Sequence, residues 1–213
     1  CVMQKNVSVS GNLMSLIDKN AESTTIPCDG CFNRLFEECS ELTSVADLKL
    51  PATTLKAYCY QNMFVTCENL TTAPATLPAA TLATECYYNM FGDCSALETL
   101  DVSGFNTSQA TNMGDMFDGC STLETLDVSG FETSQVTNMV SMFSRCFALE
   151  TLDVSGFNTS KVTNMSSMFN KAKSLEELDL SSFDTSNVIS MEQMFCYCKK
   201  RKVTSFFNFP EPN

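Results

Sequence analysis

The sequence predicts an α/β solenoid: stacked coils with a parallel sheet along one face and short helices along the other. Three observations carry this expectation. From Leu97 a 26-residue unit recurs four times, as LETLDVSGFNTSQATNMGDMFDGCST, LETLDVSGFETSQVTNMVSMFSRCFA, LETLDVSGFNTSKVTNMSSMFNKAKS and LEELDLSSFDTSNVISMEQMFCYCKK. Each unit joins a stretch of alternating apolar residues to one with helical apolar spacing. A unit this short cannot bury a face alone, so neighbours must stack into one shared core.

The elements follow in order. Residues 1–20 read as an N-terminal cap, with Val7 to Ile17 alternating around a Gly11-Asn12 turn as a hairpin. Residues 21–198 form seven coils of one folded domain: variant coils of 27–28 residues to about position 94, including CFNRLFEECSEL, LPATTLKAYCYQNMFVTCENL and LPAATLATECYYNMFGDCSAL, then regular coils of 26. Within a coil, Leu97-x-x-Leu100-x-Val102 alternates as a half-buried strand, with Leu100 and Val102 inward and Thr99, Asp101 and Ser103 outward. Met113, Met116, Phe117 and Cys120 are spaced three, one and three apart, the stripe of a helix of about two turns. Residues 199–213 read as a polar C-terminal cap.

Composition narrows the chemistry. With 213 residues, 44% apolar and 18% charged, the chain is that of an ordinary folded domain. A net charge of −12 argues against nucleic acid as a partner. Histidine is absent, which removes Ser-His and Cys-His nucleophile pairs and His-containing metal sites. No apolar run is long enough to span a bilayer. No enzyme activity and no cofactor are expected.

Several residue sets have a chemical and a structural reading. Of the twelve cysteines, Cys94, Cys120 and Cys146 recur once per coil, with Ala172 in the same slot, which favours small buried apolar side chains. One or two cross-links among Cys28, Cys31, Cys196 and Cys198 are the alternative. Cys28-Asp29-Gly30-Cys31 is a CxxC without a second half, so a redox or zinc role is disfavoured. Asn112, Asn138 and Asn164, with Ser190, read as a ladder bonding turn backbone from coil to coil. Lys199-Lys200-Arg201-Lys202 resembles a nuclear-import signal but fits better as the solvated end of the column. Cys1 is either a lipid-modified anchor or a fragment boundary.

The sharpest surface feature is an outward ladder: Thr99, Asp101 and Ser103, then Thr125, Asp127 and Ser129, then Thr151, Asp153 and Ser155, then Glu177 and Asp179. It is flanked by Glu98, Glu124, Glu150 and Glu176. In-register carboxylates repel, and raised pKa values, local hydrogen bonds, calcium or a basic partner could each relieve them. A solvated acidic stripe and a basic partner surface are favoured over calcium, since no DxDxDG-type loop is present.

The repeat resembles the BspA-like leucine-rich repeat surface proteins, in the variant of mycoplasma-type lipoproteins and gut bacteroides where LDxSxFxTSxVTNMxxMFxxC recurs. The resemblance implies a leucine-rich-repeat-like right-handed superhelix at a bacterial cell surface, without catalytic residues. The expected function is non-enzymatic: presentation of the acidic Ser/Thr-rich face to an extracellular protein or glycan. The alternative is a structural spacer or stalk of a larger surface protein with no ligand of its own.

Overall fold

The computed structural model describes residues 6–198. The expected C-terminal cap, the basic run 199–202 and Cys1 lie outside them. The expected α/β solenoid is overturned. Among the described residues there is no α-helix, only a 3-10 turn over Leu13–Leu16, and regular sheet is confined to two parallel pairs. β1 (Val7–Ser8) lies beside β3 (Leu42–Ser44), and β2 (Gly11–Asn12) beside β4 (Leu48–Lys49). The N-terminal hairpin is corrected too, because β1 and β2 pair with these later strands and not with each other. Asn12 ends the stretch by accepting a hydrogen bond from the Met14 amide at 2.9 Å, so the Gly-Asn pair starts a turn and does not close a hairpin.

The backbone accounting of residues 113–120 explains why no helix forms. Asp115 and Gly119 take left-handed φ values of 54° and 76°, which an α-helix of L-residues does not accommodate. The amides of Met113, Asp115, Phe117 and Gly119 donate to carbonyls of the next unit, those of Asn138, Val140, Met142 and Ser144, at 2.8–3.1 Å. The amides of Asp118 and Cys120 turn back to Asp115 and Phe117. The same pattern repeats one unit on, where Ser141 and Arg145 are left-handed, and again at Ser167 and Lys171. A left-handed residue every fourth position buries Met113, Met116, Phe117 and Cys120 together, so a chain of turns imitates the helical stripe. Each left-handed side-chain residue costs about 1–2 kcal/mol. The inter-unit hydrogen bonds offset this at about 1 kcal/mol each, and a two-turn helix would be marginal in any case.

The expected sheet shrinks to single parallel bridges that link equivalent residues. Thr99, Thr125, Thr151 and Glu177 form one line, and Asn112, Asn138, Asn164 and Ser190 another. The inward and outward alternation holds, with Leu100 and Val102 buried while Thr99, Asp101 and Ser103 are exposed. The chain bends soon after each bridge because the Asp101 side chain captures the Ser103 amide at 2.9 Å. The asparagine line also differs from expectation: Asn112, Asn138 and Asn164 accept from the amides of Gly114, Val140 and Ser166, two residues on. Their side chains therefore close their own turns, and backbone carbonyls make the unit-to-unit bonds.

The core is built in columns. Rings of Phe36, Phe64, Phe91, Phe117, Phe143, Phe169 and Phe195 stack successively, with centroids 5.5–6.3 Å apart. Beside them runs a thiol column in which Sγ donates to a phenylalanine carbonyl of the preceding unit: Cys67 to Phe36, Cys94 to Phe64, Cys120 to Phe91 and Cys146 to Phe117. Cysteine is thus a hydrogen-bond donor here as well as a small apolar group. Cys28 and Cys31 form a disulfide, while Cys196, Cys198 and the column thiols are free.

A third column runs through Tyr60 and Tyr87, whose hydroxyls are buried without a hydrogen-bond partner. Met113, Met139 and Met165 continue it in the regular units. Tyr60→Phe and Tyr87→Phe should each raise stability by about 1 kcal/mol, because each removes an unpaired buried hydroxyl while keeping the ring. A urea midpoint that falls in either variant would contradict this.

Candidate functional site

All eleven residues of the expected ladder, from Thr99 to Asp179, are exposed. Parallel bridges and backbone bonds such as Glu124 N to Glu98 O and Glu150 N to Glu124 O hold their units in register. The aspartates relieve their repulsion locally. Asp101, Asp127, Asp153 and Asp179 each accept the amide of the serine two residues on, at 2.8–2.9 Å. Hydrogen bonds from that serine hold all four carboxyls below their ordinary range, the hydroxyl being the larger cause at Asp101 and Asp127 and the amide at Asp153 and Asp179. They are therefore ionised near neutral pH, where the face is anionic. Among the described residues no group of three Cys, Asp or Glu side chains could hold a metal ion.

The face has one interruption. Glu177 stands where Thr99, Thr125 and Thr151 stand in the preceding units. There a hollow of about 450 Å³ opens, lined by Glu150, Thr151, Ser174, Glu176 and Glu177. Three carboxylates with neighbouring hydroxyls can accept hydrogen bonds from ammonium or guanidinium groups, or from hydroxyl-rich ligands. The sequence supplied Thr151 and Glu177 as ladder members, and Glu150 and Glu176 as flanking acids. It did not distinguish this position from the rest of the line.

A second polar cluster was not anticipated. Arg145 reaches Asp118 through Nε at 2.9 Å and Nη2 at 2.8 Å, and Asp93 through Nη1 at 2.7 Å and Nη2 at 3.2 Å. Gly119 makes room for this span, since a Cβ there would lie 2.2 Å from Asp93 Oδ1. Beside it, burial pushes the Asp115 carboxyl up, against hydrogen bonds to Tyr88 and Ser141 that lower it. A signal was present, because Arg145 is the sole basic residue between Ala57 and Ser160. Arg145→Met should cost about 2 kcal/mol, because it strands two carboxylates that share one bidentate partner. Gly119→Ala should destabilise comparably through both the clash and its left-handed φ. Unfolding midpoints that match the wild type would refute this role.

No helix among the described residues is long and apolar enough to cross a membrane. No curated protein matches the chain. A family described as a Mycoplasma protein of unknown function, DUF285, matches residues 85–206, more than half of the chain. The regular units and their bridge lines lie within that span, and the chain belongs to the DUF285 family.

Proposed function

We propose that the chain is a non-enzymatic binding module, displayed at a bacterial cell surface, whose acidic Ser/Thr-rich face engages an extracellular protein or glycan. The observation that carries this reading is the hollow at Glu150, Thr151, Ser174, Glu176 and Glu177, where an otherwise uniform face is interrupted. A ladder of exposed, ionised carboxylates steers basic surfaces toward the line. The interruption gives the contact one defined place. Surface display rests on the resemblance of the repeat to BspA-like surface proteins. The ladder carboxyls, held below their ordinary range and without a histidine in the chain, are a poor fit for proton transfer at neutral pH.

A spacer or stalk role is the second reading, favoured by one observation: each ladder aspartate is occupied by its own turn. Screening the protein against extracellular-matrix proteins, mucins and glycans separates the two. The comparison protein carries Asn at Asp101, Asp127, Asp153 and Asp179, because Asn still closes the turn but deletes the charge. Saturable binding that weakens in this variant supports the module. Silence across the array supports the spacer.

A further inference from the structure

The structure points to a second interaction surface, of opposite charge, on a different line of the repeat from the acidic ladder. No Lys or Arg occurs between Ala57 and Ser144, and then Arg145, Lys161, Lys171 and Lys173 appear in quick succession. Arg145 is held by Asp93 and Asp118, and Lys161 donates to Gln135. Lys171 and Lys173 are left, and each lies over an aromatic ring. Lys171 Nζ is 5.9 Å from the Tyr197 ring centroid, and Lys173 Nζ is 4.7 Å from that of Phe147. Tyr197 is 72% and Phe147 36% exposed, whereas the other phenylalanine rings among the described residues are buried or half-buried.

The patch is specific to the last units. The place of Lys171 and Tyr197 is held by Asp93 and Gly119 in earlier units, and the place of Phe147 and Lys173 by Ser95 and Ser121. Stacking therefore requires neither aromatic nor basic side chains at these positions. We propose that Phe147, Lys171, Lys173 and Tyr197 form a docking surface for an acidic polypeptide segment. The rings hold both ammonium groups in place by cation–π attraction, which lowers the ordering cost when a carboxylate arrives. Exposed aromatic residues supply the apolar anchors typical of protein interfaces. One face of each ring is already taken by an ammonium group. This favours a peptide with carboxylates and apolar side chains over a sugar, which needs a bare aromatic face. The inference does not depend on the acidic-face reading.

The test is binding of a labelled Glu/Tyr copolymer, with poly-L-glutamate and heparin as comparison probes, to the full chain at moderate salt. One variant carries Phe147→Ser and Lys173→Ser, matching the residue of earlier units. Another carries Lys171→Gly, which suits the left-handed φ of 61° at that position. A third replaces Lys199, Lys200, Arg201 and Lys202 with Ser. The expected result is saturable copolymer binding, tighter than that of poly-L-glutamate or heparin. It should weaken at least about tenfold in the first variant, measurably in the second, and less than about twofold in the third. The proposal is overturned by absent binding, by heparin binding as tightly as the copolymer, or by loss that follows residues 199–202.

Discussion

Raising the pH from about 8.5 to about 10 should strongly destabilise the protein. The cause is the thiol column. Burial pushes Cys94, Cys120 and Cys146 far above the ordinary thiol range, Cys67 up to about 12 and Cys86 up to about 11. In the unfolded chain a thiol ionises from about pH 8.5. Above that pH the folded state binds more protons than the unfolded one, so stability falls as pH rises, whereas below it the thiols contribute in full. The three fully enclosed thiols alone give a slope of about 4 kcal/mol per pH unit. Because the slope is only half developed at the unfolded thiol pKa, the loss between pH 8.5 and 10 integrates to about 4–5 kcal/mol, close to the lower end of whole-domain stabilities. Denaturant titrations under anaerobic conditions at a series of pH values measure the slope directly. Replacing Cys94, Cys120 and Cys146 with Ala, the residue that already occupies this slot at position 172, should flatten it even if neutral stability drops. A wild-type stability that stays level to pH 10 would contradict the column.

Phe117→Ala should be among the most destabilising single substitutions. The Phe117 side chain is fully buried at the centre of the aromatic column, with Phe91 and Phe143 on either side and Phe131 at 6.4 Å. Truncating such a ring costs about 3–5 kcal/mol for transfer and cavity, and two broken ring contacts add about 0.5–1.5 kcal/mol each. Because the ring stacks on both neighbouring units, the loss falls on both halves of the stack at once. Phe36 is half-buried, with one column partner, and its replacement by Ala should cost less than half as much. Equal losses for Phe36→Ala and Phe117→Ala in urea unfolding would rule out a continuous column.

Periodicity made the stacking order, the core residues and the exposed ladder legible, because the same residues recur at the same separation whatever the backbone does. Leu100, Val102, Met116 and Phe117 are buried as their spacing implied. The backbone path was not legible in the same way. The spacing of Met113, Met116, Phe117 and Cys120 fits a helix and a run of turns equally well. The left-handed positions are occupied by Asp115, Ser141, Arg145 and Lys171 as readily as by Gly119, so no glycine pattern marked them. The hollow at Glu177 depends on how two units meet, and the Arg145 span covers three. Neither is a property of one unit's sequence.

The most direct measurement is the affinity of the strongest array ligand for the wild type and for Glu177→Thr. That substitution restores the residue of the three preceding units and should leave the stack intact. We expect binding to weaken at least about tenfold, with unchanged unfolding. Unaltered affinity in Glu177→Thr would contradict a binding site at the interrupted end of the acidic face.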